Sequence, residues 1–288
     1  MDSSFGTYTS ADMMDSSSIL IPVRGSNEKV EVFCDELPDD VGDVIDILKA
    51  EIAPLDIWLH FAVEYYRQGK EEHFRSILNE VVEALGPEAE QFYQDDLAAY
   101  RRGRLRILNA LAADALQRAR AARKGPEGGG ADAAAAKKGE EDAYAQALEY
   151  FSQADRIDQM CELTWVGKGA MLLGQGHVER AAYYFDNALK SGGGGGGGAA
   201  AGAAAKDEGG SGGVRNLPAT LGKAALLFHA GEYRKALEFY GKALAMNPQR
   251  CPAGVRVGIG LCAARLGQPR RARAALRRAL EIDPECPE

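Results

Sequence analysis

The sequence of 288 residues predicts an all-α protein, a right-handed solenoid of about five helix pairs preceded by a short β-hairpin and helix. Two observations lead to this prediction. A pattern of glycine, alanine and bulky residues recurs in register, and half of the 34 glycines lie outside it, in two short tracts. We interpret these tracts, at about 122–140 and about 191–216, as low-complexity insertions in surface loops.

The recurring pattern is centred on Gly176, Gly231 and Gly267. An alanine follows each glycine, then a bulky residue, then a second alanine, always at the same offsets. These residues are Ala181, Phe185 and Ala188; Ala236, Tyr240 and Ala243; and Ala272, Leu276 and Ala279. Glycine permits a left-handed turn between two antiparallel helices, and alanine lets the helices approach closely. Each pair leaves an apolar face uncovered, so neighbouring pairs are expected to stack.

A weaker copy of the pattern surrounds Gly69, with Trp58 ahead of it. The 107 residues from Gly69 to Gly176 leave room for one more degenerate pair. Its first helix is predicted from about Leu105 to Ala121, and the tract at about 122–140 would interrupt the turn that follows. The second helix should include Ala147, Phe151 and Ala154. We assign the solenoid to residues 53–288.

The N-terminal part of the chain has a different pattern. Residues 1–17 are polar and lack periodicity, so we expect them to be disordered. The apolar runs Ile19–Val23 and Val30–Phe33 flank a turn-forming segment and predict a hairpin. A short amphipathic helix follows through Val44 and Leu48, with Asp39 or Asp40 as its N-cap. Residues 18–52 are therefore predicted to form the hairpin and the helix.

Residues that could perform chemistry form no recognisable site. The four histidines are scattered without the paired spacing of a metal site, and the five cysteines include no CxxC pair. No stretch of the sequence reaches the roughly 18 uncharged apolar residues that span a bilayer. We therefore predict a protein that is not an enzyme, with no catalytic, cofactor-binding or metal-binding residues and no membrane partner.

Charge is distributed unevenly. Residues 1–100 carry 22 acidic and 6 basic side chains, whereas the rest of the chain is net basic. A basic region can indicate a nucleic-acid surface, but these arginines follow helical spacing and lack interleaved aromatic residues. We interpret them as solvated helix faces and do not expect nucleic acid as a direct ligand.

Protein binding is the remaining possibility. In stacked helix pairs the first helices line the concave face, and residues spaced by three and four positions, opposite the packing positions, should point into this groove. An apolar lining of this kind suits a partner helix or strand. The alternative is a tight superhelix that packs these residues against one another. The predicted partner-binding residues are Leu59, Val63, Tyr66, Val166, Leu221, Phe228, Val257 and Leu261.

The repeating pattern resembles the tetratricopeptide repeat, whose consensus places small, aromatic and proline residues at these offsets. The segments Ser18–Arg24, Ile45–Glu51 and Leu59–Lys70 carry a more specific resemblance. They are similar to the tetratricopeptide-repeat scaffold subunit, of the Ctr type, of the RNA polymerase II-associated factor (PAF) complex. The resemblance covers most of residues 18–286.

This resemblance implies a nuclear, non-enzymatic scaffold. Such a scaffold would bind other PAF-complex subunits, contact RNA polymerase II directly or indirectly, and support transcription elongation and co-transcriptional histone modification. Members of this family are several times longer, so we expect a truncated C-terminus. Two alternatives remain. One is a co-chaperone adaptor, although the groove lacks the lysine and asparagine residues that clamp a partner's C-terminal carboxylate, and the other is the repeat region of a longer transferase.

Overall fold

The computed structural model describes residues 18–26, 28–84, 93, 96–123, 131–191, 216–246, 248 and 251–284. The predicted disordered segment 1–17 and residues 192–215 of the second insertion lie outside this range. The chain divides into two compact units. The first contains the described residues up to Gln117 together with Ala145–Gln159, and the second contains Arg118–Tyr144 and the described residues from Met160 onward.

The predicted hairpin is present in the first unit. Strand β1 (Ser18–Pro22) pairs antiparallel with strand β2 (Lys29–Phe33), in a register that places Ser18 opposite Phe33. Because alternate residues of a strand point to opposite faces, one face of β1 can be buried while the other remains exposed. Ile19 and Ile21 are on the buried face, each only 2% exposed.

Helix α1 (Val41–Ala50) follows the hairpin and confirms one of the two predicted N-caps. The carboxylate of Asp40 accepts a hydrogen bond from the backbone N–H of Gly42 at 2.8 Å. Asp39 instead forms an ion pair with Lys70 at 2.8 Å. Lys49 of α1 reaches Glu80 at 2.6 Å.

Five consecutive helix pairs follow in the described part of the chain, as predicted. In the last three pairs small residues let the helices meet closely, since the pattern alanines that follow each turn are almost fully buried. None of the helices that the structure describes is long and apolar enough to cross a membrane. The pairs are α2 (Leu55–Arg67) and α3 (Glu71–Ala84); α4 (Leu97–Arg123) and α5 (Ala131–Ile157); α6 (Glu162–Gly174) and α7 (Val178–Ser191); α8 (Leu217–His229) and α9 (Tyr233–Met246); and α10 (Ala253–Arg265) and α11 (Pro269–Ile282).

The turns within four of these pairs confirm the role predicted for glycine. Gly69, Gly176, Gly231 and Gly267 have φ angles between 71° and 83°. In the turn between α6 and α7, Gly176 N donates to Leu173 O at 3.1 Å, and the N–H of His177 donates to Leu172 O. A side chain would be strained in this left-handed conformation, so glycine ends the helix without that cost.

The α4–α5 pair differs from its prediction. Helix α4 begins at Leu97, ahead of the expected start near Leu105, and α5 already begins at Ala131. The second half of the tract at 122–140 is therefore helical and is not part of a loop. The reason is that the alanine, lysine and glutamate residues of this stretch are strong helix formers, and one glycine does not offset them.

Candidate protein-interaction surfaces

The first helices of the second unit present the predicted groove positions in a row, which we call the first-helix row. The row consists of Leu163 and Val166 on α6, Leu221 and Phe228 on α8, and Val257 and Leu261 on α10. Val166 is half-buried and packs against the core cluster that includes Leu172 and Phe185. Leu221 is also half-buried, whereas Leu261 is 41% exposed. The row is therefore partly open and partly filled by the protein itself.

Two predicted partner-binding residues of this row contribute to packing. Phe228 is half-buried and packs against the cluster that includes Leu227 and Cys262. Its ring meets the ring of Tyr233 edge-on, with 5.3 Å between centroids. The prediction for Val257 is wrong, because this residue is only 3% exposed and belongs to a core cluster between α10 and α11. A buried valine cannot contact a partner without opening that core.

The first unit places its predicted groove residues along α2. Leu59 and Val63 are half-buried. The hydroxyl of Tyr66 donates to Gln117 Oε1 at 2.6 Å, and Arg106 forms a 2.6 Å ion pair with Asp56. Polar side chains of α4 therefore bridge the α2 face at both of its ends. The surface left for a partner is more polar than the sequence pattern indicated, because the residues supplied by α4 belong to the degenerate repeat.

Three of the described cysteines, Cys34, Cys251 and Cys262, have thiols whose pKa is raised by burial. A raised pKa keeps a thiol protonated, whereas a reactive cysteine needs a lowered pKa. Within the described ranges, no group of three or more histidine, cysteine, aspartate and glutamate residues could hold a metal ion.

The basic helix α11 has the geometry expected of a solvated face. Ala272 and Ala279 are buried, and the arginines of this helix are all exposed. Arg278 pairs with Glu281 at 2.7 Å on the same helix. The arginines therefore lie on the side of α11 opposite its packing face.

Two residues of the first unit were missed by the sequence reasoning. Ile52, just after α1, has a φ angle of 48° and is the one non-glycine residue with positive φ among the described residues. Tyr93 lies outside every predicted helix, and its hydroxyl donates to Ala53 O at 3.2 Å. Burial raises the pKa of Tyr93 to about 12. The available signal for Ile52 was the absence of a glycine after α1. It was missed because α1 was not treated as part of the repeat pattern.

Comparison with known structures and families agrees with the architecture. A tetratricopeptide-repeat family model matches residues 227–288. A chain in the crystal structure of the APC/C hetero-tetramer Cut9–Hcn1 superposes with a TM-score of 0.53 and 14% sequence identity. The match covers 85% of this chain and 37% of that one. At such low identity the likeness shows the fold alone.

Two curated relatives match most of the sequence. The protein CTR9 homolog of Arabidopsis thaliana is 38% identical over 268 residues, which are 93% of this chain and 21% of the relative. The RNA polymerase-associated protein CTR9 of Caenorhabditis elegans is 29% identical over 275 residues, 95% of this chain and 21% of the relative. The chain thus spans about a fifth of the length of the curated relatives it matches. The chain has the fold of tetratricopeptide-repeat proteins and is similar to CTR9 proteins along nearly its whole length.

Proposed function

We propose that this chain is a non-enzymatic scaffold segment of the PAF complex in the nucleus. It binds other subunits of that complex, contacts RNA polymerase II directly or through them, and supports transcription elongation and co-transcriptional histone modification. The observation that carries the proposal is the similarity to CTR9 proteins over 93% of the chain. One of these relatives is named for its association with RNA polymerase.

The stacked helix pairs supply a physical basis for binding a partner. Each pair buries its small residues against its neighbour and leaves part of its first helix at the surface. In the second unit, Leu163 at the start of α6 is 49% exposed and Leu261 on α10 is 41% exposed. Both are members of the first-helix row, so a partner can bury them without opening a core.

The accessible residues of the row sharpen the choice of variants. Replacing Phe228 by glutamate would disturb the packing around it. Loss of binding could then not be distinguished from loss of the fold. Leu163→Glu and Leu261→Glu place the new charge on residues that are already solvated. Ile282→Glu on α11 is the matched control, because Ile282 is 42% exposed and lies on a second helix.

The test is affinity purification of the full chain from nuclear extract, followed by mass spectrometry. The wild-type chain and Ile282→Glu are expected to recover PAF-complex subunits and RNA polymerase II. The double variant Leu163→Glu/Leu261→Glu should lose most of this recovery at unchanged helicity in circular dichroism. If the wild-type chain recovers none of these proteins, the PAF assignment is wrong. If the double variant recovers them fully, the first-helix row of the second unit is not the contact surface.

A further inference from the structure

A small apolar pocket lies in the first unit, where the hairpin loop, the end of α1 and the start of α2 meet. Its volume is about 240 Å³, and its lining is mostly apolar. Sites for cofactors and drug-sized ligands usually measure about 300–1,000 Å³, so this pocket is too small for them. Its size suits one large side chain. The lining includes Arg24, Leu48, Lys49, Ile52, Trp58 and Tyr93.

The wall formed by Ile52 is unusual because this residue is in a left-handed backbone conformation, with φ at 48°. Ile52 occupies the same place after α1 that Gly69 occupies after α2. Its N–H donates to Lys49 O, three residues back, as the N–H of Gly69 donates to Tyr66 O. A β-branched residue is strained there, whereas glycine is not.

Surrounding hydrogen bonds hold this strained turn in place. The next residue, Ala53, donates its N–H to Leu48 O at 3.0 Å. Its carbonyl oxygen accepts hydrogen bonds from Trp58 Nε1 and from the Tyr93 hydroxyl, each at 3.2 Å. Strained residues persist where the surrounding structure determines their conformation, and they concentrate at sites that hold ligands. Here the strain places an isoleucine side chain in the pocket wall.

The rim of the pocket carries two basic residues with different surroundings. Lys49 is paired with Glu80 at 2.6 Å. Arg24 is exposed, and its backbone N–H, not its side chain, donates to the carboxylate of Glu51 at 2.5 Å. Among the residues that the structure describes, the Arg24 guanidinium forms no ion pair. It is therefore available to a carboxylate on a bound partner, and a guanidinium forms favourable paired hydrogen bonds with such a group.

We propose that this pocket binds one leucine- or phenylalanine-sized side chain of a partner protein, whose neighbouring aspartate or glutamate pairs with Arg24. The apolar lining removes the anchor side chain from water, and the rim arginine selects the residue beside it. The docking site extends the proposed scaffold function and rests on it only in taking a protein as the ligand. It shares no residue with the first-helix row, so each site can be tested alone.

The binding test uses four N-acetyl dipeptide amides: Asp-Phe, Asp-Leu, Asp-Ala and Lys-Phe. The chain has two tryptophans, so a Trp165→Phe background leaves Trp58 in the pocket as the fluorescent reporter. We expect a saturable fluorescence change with Asp-Phe and Asp-Leu. Asp-Ala should bind about tenfold more weakly because it buries far less apolar area, and Lys-Phe about two- to fivefold more weakly.

Two variants separate binding from packing. Ile52→Gly removes the wall and relieves the strain, so dipeptide affinity should fall about tenfold while Tm stays the same or rises. Arg24→Glu should reverse the preference for Asp-Phe over Lys-Phe. Ile47→Ala is the control, because Ile47 lies on α1 with an exposed side chain, and it should leave binding unchanged.

Three results would overturn the proposal. The first is the absence of saturable binding to folded wild-type protein, and the second is unchanged affinity in Ile52→Gly. The third is a lower Tm in Ile52→Gly, which would assign the isoleucine to packing alone. Each of these could occur while the chain still recovers PAF-complex subunits from nuclear extract. Failure of the pocket is therefore distinguishable from failure of the proposed scaffold function.

Discussion

The ring of Phe185 on α7 lies directly against the backbone of Gly222 on α8, the first helix of the next pair. The same ring also contacts Gly169 of its own pair, where an added Cβ would lie 2.8 Å from Phe185 Cε1. Tyr240 repeats the arrangement one pair later, since a Cβ on Gly258 would lie 2.5 Å from Tyr240 Cζ. The stacking of neighbouring pairs therefore depends on the absence of a side chain at these glycines as much as on the aromatic rings.

Gly222→Ala should destabilise the second unit, because its new methyl group would overlap the Phe185 ring. Overpacking of a core costs about 1–3 kcal/mol, and the better helix propensity of alanine offsets about 1 kcal/mol of this cost. We expect a net loss of up to about 2 kcal/mol in urea unfolding followed by circular dichroism. Gly241→Ala is the control, since an added Cβ there meets nothing within 4 Å, and it should raise stability by up to about 1 kcal/mol. Equal effects of the two variants would contradict this explanation.

Asp114→Ala should strongly destabilise the first unit. The Asp114 side chain is 3% exposed and forms a 3.0 Å ion pair with Arg75, which also contacts Glu72 at 2.8 Å. Arg75 keeps its ion pairs with Glu71 and Glu72 in this variant, so the expected loss is that of one buried charged hydrogen bond, about 1.5–3 kcal/mol. The measurement is the free energy of unfolding in urea.

A double variant tests whether the charge or the packing matters at this pair. Arg75→Met/Asp114→Asn removes both charges at similar volume and should recover most of the stability lost in Asp114→Ala. Glu232→Ala breaks an exposed pair with Lys235 and should leave stability nearly unchanged. A double variant as unstable as Asp114→Ala would show that the ion pair itself is required.

Asn216→Ala should weaken the start of α8. The Asn216 side-chain oxygen accepts a hydrogen bond from Ala219 N at 3.0 Å, and its amide donates to Glu162 Oε2 at 3.1 Å. Loss of an N-cap costs about 1 kcal/mol. Asn216→Asp keeps the cap but places a carboxylate beside Glu162, so its stability should fall between the wild-type and alanine values at neutral pH.

His60 should make the stability of the first unit depend on pH. Burial lowers its pKa below the usual 6.5, and its Nε2 atom is buried without a hydrogen-bond partner in the structure. At pH values well above about 6.5 the imidazole is neutral in both the folded and the unfolded chain, and the full stability is present. As pH falls below about 6.5, the unfolded chain takes up the proton first, so the folded state loses stability. Wild-type protein should lose more stability than His60→Phe between about pH 7.5 and about pH 5.5. Equal losses in the two proteins would exclude His60 as the cause.

The turns and the helix pairs could be predicted from residues because each needs a particular local chemistry. Gly231 is in the left-handed conformation that its place in the repeat requires, and Ala236 is fully buried where the pattern placed an alanine. The groove could be predicted only in part. Val257 and Leu261 occupy the same face of α10 in the sequence pattern, yet one is buried and the other is 41% exposed. That difference depends on how closely α11 packs beside them.

The sequence by itself determined where helices turn and which small residues let them meet, because backbone conformation and side-chain volume are properties of the residue. The excess glycine likewise indicated the two tracts outside the repeats. Only the tertiary structure decided how far α4 and α5 extend, which groove positions remain accessible, and that Ile52 is held in a strained turn beside Trp58. These features depend on contacts between residues distant in the chain, and no local pattern specifies such contacts.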